Sequence, residues 1–151
     1  MFTTARYFIK TSLAFLFLGL LAGVWMSVDF NLLGHAVSPD VVSAHTHVVL
    51  VGSVMMMIMG VALWFFPRPA TGDTKYSPDL IRAVYWTMTV STIVRFAAQI
   101  AVAYVEKQEI RWVITASSAA QLVGFGLFFY SMWGRIRAVG SAEREAKGEK
   151  F

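Results

Sequence analysis

Four long apolar runs constrain this chain more than any other feature of its sequence. They cover about residues 8–28, 41–66, 80–105 and 112–134. A helix needs about 20 apolar residues to cross the roughly 30 Å hydrocarbon core of a bilayer. Within that core every backbone polar group must be bonded inside the protein, which favours helices. The pattern therefore predicts an all-α fold, an integral membrane four-helix bundle.

The charge content supports this class and excludes nucleic acid as a partner. Charged residues make up 15% of the chain and hydrophobic residues 57%, whereas about a quarter of a soluble domain is charged. The net charge of +4 comes from basic residues that mostly flank the apolar runs. In that position they set orientation in the membrane. Membrane lipid is therefore the expected surrounding.

The distribution of lysine and arginine predicts the topology. The connection between the first two runs, residues 29–40, has no basic residue, whereas the N-terminus, the second connection and the C-terminus do. By the positive-inside rule, both termini should be cytoplasmic, N-in/C-in. We expect one domain, a bundle over residues 1–134, followed by a charged cytoplasmic tail over 135–151. The expected location is the inner (cytoplasmic) membrane of a bacterium or archaeon, with the first run retained because no small-x-small cleavage site follows it.

The absence of cysteine excludes several kinds of redox site. Disulfides, thiolate metal sites, iron–sulfur clusters and thioether-linked heme c all need that residue. Any metal or cofactor must therefore be held by other side chains.

The three histidines are the strongest candidates for a metal site. His45 and His47 begin the second run, and His35 lies in the preceding connection, so all three should lie towards the outer side. A neutral imidazole is the usual ligand of b-type heme iron. Two residues along a helix correspond to a rotation of about 200° around its axis, so His45 and His47 should not face one ligand. Both are candidate metal and cofactor ligands, and their spacing alone also fits interfacial residues that bind no metal.

Two further features of the second run bear on a cofactor. Gly52 lies seven residues after His45 and should share its face, where a glycine allows a flat macrocycle or another helix to approach closely. Met55, Met56 and Met57 are soft ligands that suit Cu(I). Because consecutive residues splay around a helix, copper is the less favoured alternative, and methionine is a common core filler.

Arg95 is an ionisable residue in the outer half of the third run. Such residues are costly in a membrane and are functional candidates by default. Arg95 could bind a cofactor through a heme propionate, pair with Gln99 or Gln121, or extend to the membrane surface. Ser117 and Ser118 could join the same polar network.

Two lines of small residues predict close helix crossings or an oligomer. The first run contains Gly19 and Gly23, a G-x-x-x-G pair. The fourth contains Ala116, Ala120 and Gly124 at the same spacing.

The segment "AHTHVVLVGSVMMMIMGVALWFFP" resembles the second transmembrane helix of the catalytic subunit of heme-copper oxidases and nitric oxide reductases. It is still more similar to short four-helix proteins described as cytochrome oxidase subunit I-like. The matching positions are His45, His47, Gly52, Gly60, Phe66 and Pro67. The specific match covers about 60 residues, Ser12–Pro67, and the last two helices match only in character.

The resemblance implies that His45 ligates a low-spin heme b. The chain lacks the other histidines that oxygen reduction needs in that family, so it is not expected to be an oxidase or other enzyme by itself. The sixth iron ligand would be His35, His47, a methionine, or a residue of another protomer or subunit.

We therefore expect a membrane-embedded heme b protein for electron transfer or gas and redox sensing, associated with respiratory or denitrification chemistry. It would act with a redox partner, as a homo-oligomer or as a subunit of a larger complex. The alternatives are a cofactor-free accessory or assembly subunit and, less favoured, a copper-binding membrane protein. The sequence leaves the electron partner, any gas ligand and the oligomeric state open.

Overall fold

Four long helices account for most of the chain. The computed structural model describes residues 2–67, 75–105, 107–136, 140, 144 and 147–148, and this part of the chain contains no strand. The helices are α1 (Phe2–Asn31), α2 (Pro39–Phe65), α3 (Pro78–Tyr104) and α4 (Gln108–Met132), the last followed by a 3₁₀ turn, Trp133–Arg135. All four are long and apolar enough to cross a membrane. The prediction of an all-helical fold with four long apolar helices is confirmed, each within a few residues of its predicted ends except that α1 starts earlier.

The sequence Ser-Pro-Asp begins two of the helices. Ser38 is the N-cap of α2 and its side chain accepts from the backbone N–H of Asp40; Ser77 caps α3 and accepts from that of Leu80. A proline in the first turn lacks only an N–H that would have no helical partner, and an aspartate there complements the positive end of the helix dipole. These signals fix where α2 and α3 enter the bundle.

Helix α2 is not a uniform α-helix. It is α-helical over Pro39–His47 and Met56–Phe65, but Val48–Met55 between them is a π-helix. Segments of π-helix are rare and often accompany functional sites. No proline marks this one, and it was not predicted from the sequence.

Helices α1 and α2 are antiparallel and in close contact along their length. At one end the side chain of His45 lies against Gly23, and further along α2, Gly52 contacts Phe15. Nearer the end of α2, Gly60 lies against Phe8, Ile9 and the carbonyl of Ala5. The α2 residues that face α1 along this line are therefore His45, Gly52 and Gly60. Because two of the three are glycines, the backbones approach closely.

The remaining two helices extend the bundle on one side. Helix α3 packs against α2 and α4, whereas α4 makes most of its contacts with α3. Helices α3 and α4 approach closely at Gly124, where a Cβ atom would lie 2.8 Å from the sulfur of Met88. Gly124 thus acts in a helix crossing, as its small-x-x-x-small line predicts.

We name the two ends of the bundle by their contents. The terminal end contains the start of α1, the end of α2, the start of α3 and the end of α4. The histidine end contains the end of α1, the start of α2, the end of α3 and the start of α4. The apolar core lies mainly towards the terminal end, with Phe8, Met56, Met88 and Met132 almost fully buried.

Arg135 closes the terminal end. Its side chain is fully buried, and it donates to the backbone carbonyls of Pro67 (2.8 Å), Phe66 (3.1 Å) and Leu63 (3.3 Å) at the end of α2. Its guanidinium carbon lies 5.1 Å from the centre of the Tyr76 ring. The last carbonyls of a helix lack helical partners and carry partial negative charge, so a cation stabilises them. The sequence interpretation placed Arg135 in the charged tail, but it belongs to the bundle; the rest of the tail lies largely outside the described residues.

The outer surface of the bundle is strongly apolar. On α1 the exposed side chains include Leu13, Phe17, Leu20 and Val24, and all five tryptophans of the chain are exposed. Contiguous apolar surface of this extent is unusual in soluble monomers, and exposed tryptophans near helix ends are typical of the membrane interface. These surfaces are compatible with a membrane protein.

Candidate cofactor-binding site at the histidine end

His45 lies in a notch formed by the two glycines of α1. Its Nδ1 atom is 3.0 Å from the carbonyl oxygen of Gly19. A Cβ atom at Gly23 would lie 3.2 Å from the Cε1 atom of the ring, so the absence of a side chain there makes room for the imidazole. The G-x-x-x-G pair of α1 therefore holds a histidine as well as a neighbouring helix. The notch fixes the ring in relation to both α1 and α2.

The partner of Nδ1 determines the tautomer of His45. A carbonyl oxygen only accepts hydrogen bonds, so Nδ1 must carry the hydrogen. In the neutral imidazole, Nε2 then keeps its lone pair. A ring whose Nδ1–H is bonded to a backbone carbonyl and whose Nε2 is a base is the usual form of a histidine that ligates a metal. In this tautomer, His45 is thus suited to act as one axial ligand of a heme iron.

His47 points elsewhere and is held by its own helix. Its Nδ1 atom is 2.8 Å from the carbonyl oxygen of Ser43 and 3.4 Å from the Ser43 hydroxyl. The Ser43 hydroxyl also lies 2.7 Å from the Nε2 atom of Gln99 on α3. His45 is therefore hydrogen-bonded to α1, whereas His47 is bonded to Ser43, which is in turn bonded to Gln99 on α3. This agrees with the expectation that the two rings do not share one ligand from the same face.

Gly52 is buried between two neighbouring helices. A Cβ atom here would lie 2.9 Å from Phe15 on α1 and 2.9 Å from Thr92 on α3. The absence of a side chain at Gly52 thus lets side chains of α1 and α3 pack against the backbone of α2. The structure gives Gly52 a packing role, and its assignment to cofactor binding stays a prediction.

Arg95 belongs to a polar network between α3 and α4. Its Nη1 atom donates to the Oε1 atom of Gln121 (3.1 Å), and the Nε2 atom of Gln121 donates to the hydroxyl of Thr92 (3.1 Å). Of the partners considered for Arg95 in the sequence, the structure gives it Gln121. Ser117 and Ser118 do not join this network, because their hydroxyls bond carbonyls of their own helix.

Two polar atoms near this network have no partner in the described part of the chain. They are the Nε atom of Arg95 and the Oε1 atom of Gln99, each of which is buried. Buried polar groups are nearly always hydrogen-bonded, so each exception suggests a missing water, ion or ligand. Since the hydrogen bonds of Arg95 reach α4 and those of His45 reach α1, the structure does not join these two residues in one contact.

His35 lies at the surface in the connection before α2. Its Nδ1 atom is 2.9 Å from a carboxylate oxygen of Asp29, and two thirds of its side chain is exposed. The hydrogen bonds of His35 among the described residues go to Asp29 and not to the notch that holds His45. His35 is therefore the least suited of the three histidines to act as a ligand within one chain.

The acidic side chains and the methionines are the other candidates for a metal site. Among the residues that the structure describes, no group of three or more His, Asp or Glu side chains could hold a metal ion. Met56 and Met59 are buried in the apolar core, and the sulfur of Met57 lies 3.7 Å from the Ser12 hydroxyl. The methionines thus have packing roles, and a copper site stays a prediction without a cluster to carry it.

Comparison with protein-family models, with curated proteins and with solved structures found no match to this chain. The likeness to the oxidase subunit therefore rests on the sequence pattern alone.

Three residues that contact the histidines have roles that the sequence analysis does not predict. The sequence pattern alone predicts only a packing role for Gly19 and Gly23, although their spacing of four places them on one helical face. Ser43 was not considered, although it stands four residues before His47 on the same helical face. That spacing is the signal that could have identified it.

Proposed function

We propose that this protein is an integral membrane heme b-binding protein with both termini in the cytoplasm. The proposed role is electron transfer or gas and redox sensing in the inner membrane of a bacterium or archaeon. The observation that carries the proposal is the 3.0 Å hydrogen bond from His45 Nδ1 to the Gly19 carbonyl. It presents Nε2 of a neutral imidazole as a base, and it holds the ring between two helices.

Three residues of the notch would have separate roles in binding a heme. His45 would bind the iron, Gly19 would fix its tautomer and Gly23 would leave room for its ring. A carbonyl bonded to the far nitrogen of a ligating histidine also raises its basicity, which tunes a bound metal. A bound heme would supply one-electron chemistry or a binding site for a gas.

The second axial ligand is proposed to come from outside the notch. His47 is bonded to Ser43 and His35 to Asp29, rather than to the glycines of the notch. A second copy of the chain or another subunit is the favoured source, which agrees with the apolar surface that α1 leaves exposed. This ligand count is also why we propose no oxidase activity for the chain alone.

The proposal is tested by a reduced-minus-oxidised absorption spectrum of the protein purified in mild detergent after expression with ample heme. We expect a sharp α-band, and a pyridine hemochrome assay should give about one heme per one or two chains, in line with one or two histidine ligands. No Soret band in folded protein would contradict the proposal.

A second candidate is a cofactor-free accessory subunit of a respiratory complex. It is favoured by an apolar groove of about 370 Å³ between α3 and α4, which is lined by Val90, Val94, Val113, Ala116 and Ala120 among others. Small residues in such a groove allow a transmembrane helix to approach closely. Folded protein without heme that co-purifies with subunits of such a complex would support this candidate.

A further inference from the structure

We propose that the terminal end of the bundle binds one anionic phospholipid, with its phosphate at Arg6 and Lys10 and an acyl chain in a groove between α1 and α2. The proposal rests on the proposed insertion in a membrane, but it needs no heme. The bound lipid would stabilise the contact between the two helices at this end.

The groove lies at the start of α1 and the end of α2. Its volume is about 370 Å³, and it is lined almost entirely by apolar atoms of Ala5, Arg6, Ile9 and Trp64. It opens beside the place where Gly60 lies against Ala5 and Ile9. Ligand sites usually have volumes of roughly 300–1,000 Å³. A groove of this size and lining can take the hydrocarbon chain of a lipid.

Two exposed basic side chains accompany the groove. Arg6 lines it, and Lys10 lies one turn further along α1 on the same face. No ion pair among the described residues includes either of them. Because Lys10 lies within the apolar run of α1, its ammonium group must extend towards the membrane surface to reach polar surroundings. The phosphate of a lipid at that level can bond both side chains.

The charge of these two residues has no acidic counterpart on the same part of α1. The first acidic residue of the chain is Asp29, about 35 Å along the helix from Arg6, since each residue advances a helix by 1.5 Å. At the start of α3, the carboxylate of Asp79 lies 3.5 Å from Arg82. Clusters of basic residues at a membrane surface attract anionic headgroups. An anionic lipid would therefore supply the missing negative charge.

The same face of α1 changes from basic to apolar towards the middle of the bundle. Arg6, Lys10, Leu13 and Phe17 follow the spacing of one helical stripe, and all four are exposed. Trp64 on the other side of the groove is exposed as well, as is usual for a tryptophan at the level of the headgroups. A phospholipid has the same order of a charged head and an apolar tail, whereas a soluble anion would make no use of the apolar part.

The test compares thermal unfolding of the detergent-solubilised protein with added phosphatidylglycerol, which is anionic, and with phosphatidylcholine, which has no net charge. At a tenfold excess over its dissociation constant, phosphatidylglycerol should raise the Tm by about 3–6 °C more than phosphatidylcholine. The double variant Arg6→Gln/Lys10→Gln should lose this difference. The matched control, Arg82→Gln/Lys107→Gln, removes two other exposed basic residues and should keep it. The proposal would be overturned if the wild type responded equally to both lipids or if the first double variant kept the wild-type difference.

A second measurement needs no variant and therefore decides the question even if Arg6→Gln/Lys10→Gln does not fold. Native mass spectrometry of the wild type with an equimolar mixture of the two lipids should show one phosphatidylglycerol retained per chain in preference to phosphatidylcholine. Glycerol phosphate, which carries the anionic group without acyl chains, should not displace it. Equal retention of the two lipids, displacement by glycerol phosphate, or a lipid-free dimer would also overturn the proposal.

These outcomes can be distinguished from a failure of the proposed function. Protein that stays in solution without detergent would contradict membrane insertion, and a missing Soret band would contradict heme binding. Neither the difference in Tm nor the retention of lipid depends on heme absorbance.

Discussion

The terminal end and the histidine end of the bundle differ in how completely their buried polar groups are hydrogen-bonded. At the terminal end, the guanidinium of Arg135 is fully buried and donates to three backbone carbonyls of one helix end. At the histidine end, Arg95 has one hydrogen bond to a side chain and a buried Nε without a partner in the described part of the chain. Arg135 thus stabilises the fold at one end, whereas Arg95 at the other keeps a donor without a partner among the described residues.

We propose that the terminal end of the bundle serves stability and that the histidine end serves the binding of a heme. Backbone carbonyls that accept from Arg135 are present whenever α2 is folded, so that cation stabilises the native state and has no need of a ligand. Arg95 carries a buried Nε atom whose bonding is incomplete within the described chain, and we propose that the histidine notch binds a heme. We therefore expect substitutions at the terminal end to alter stability and those at the histidine end to alter binding.

The largest expected effect is that of Arg135→Met. The substitution removes the donor from three buried carbonyls at the end of α2, which should cost about 3–5 kcal/mol of unfolding free energy. Thermal unfolding followed by tryptophan fluorescence measures it. Arg82→Met, at an exposed arginine, is the control and should change stability by less than about 0.5 kcal/mol. Wild-type stability of Arg135→Met would break the comparison between the two ends.

The next effect concerns the notch of α1. A Cβ atom at Gly23 would lie 3.2 Å from the ring of His45, so the larger side chain of Gly23→Val should displace the imidazole. We expect heme affinity to fall about 10- to 100-fold, the usual range for a residue that supports a ligand, as measured by heme titration. Gly126→Val is the matched control, because nothing lies within 4 Å of a Cβ atom at Gly126. Equal affinities of the two variants would show that the notch does not orient His45.

The smallest effect is a pH dependence at the terminal end. Burial raises the pKa of Tyr76 above its ordinary value of 10.0, and Arg135 partly opposes this shift. Because the folded state holds this proton more tightly, stability contributed below about pH 10 is lost as the pH rises through the folded pKa. Tyr76→Phe should therefore flatten the fall of the Tm above about pH 10. Tyr104→Phe, at an exposed tyrosine of the histidine end, is the control and should leave the wild-type slope in place.

The number of helices and most of their approximate bounds could be predicted because apolar runs are local signals, whereas the early start of α1 at Phe2 was not predicted. The interaction of Arg95 with Gln121 could be predicted as an option, since few polar groups exist at that depth. The π-helix of α2 could not, because no proline or other established local signal marks Val48–Met55 in the sequence. Likewise the burial of Arg135 depends on α2 and α4 meeting, which no local pattern reports.

The central claim is that His45, held by Gly19, is the iron ligand. The most direct measurement is the heme content and difference spectrum of His45→Ala beside those of His35→Ala, with tryptophan fluorescence to establish that both are folded. The account predicts that His45→Ala loses the α-band and that His35→Ala keeps it, because His35 bonds only to Asp29 among the described residues. A folded His45→Ala protein with its full heme content would contradict the account.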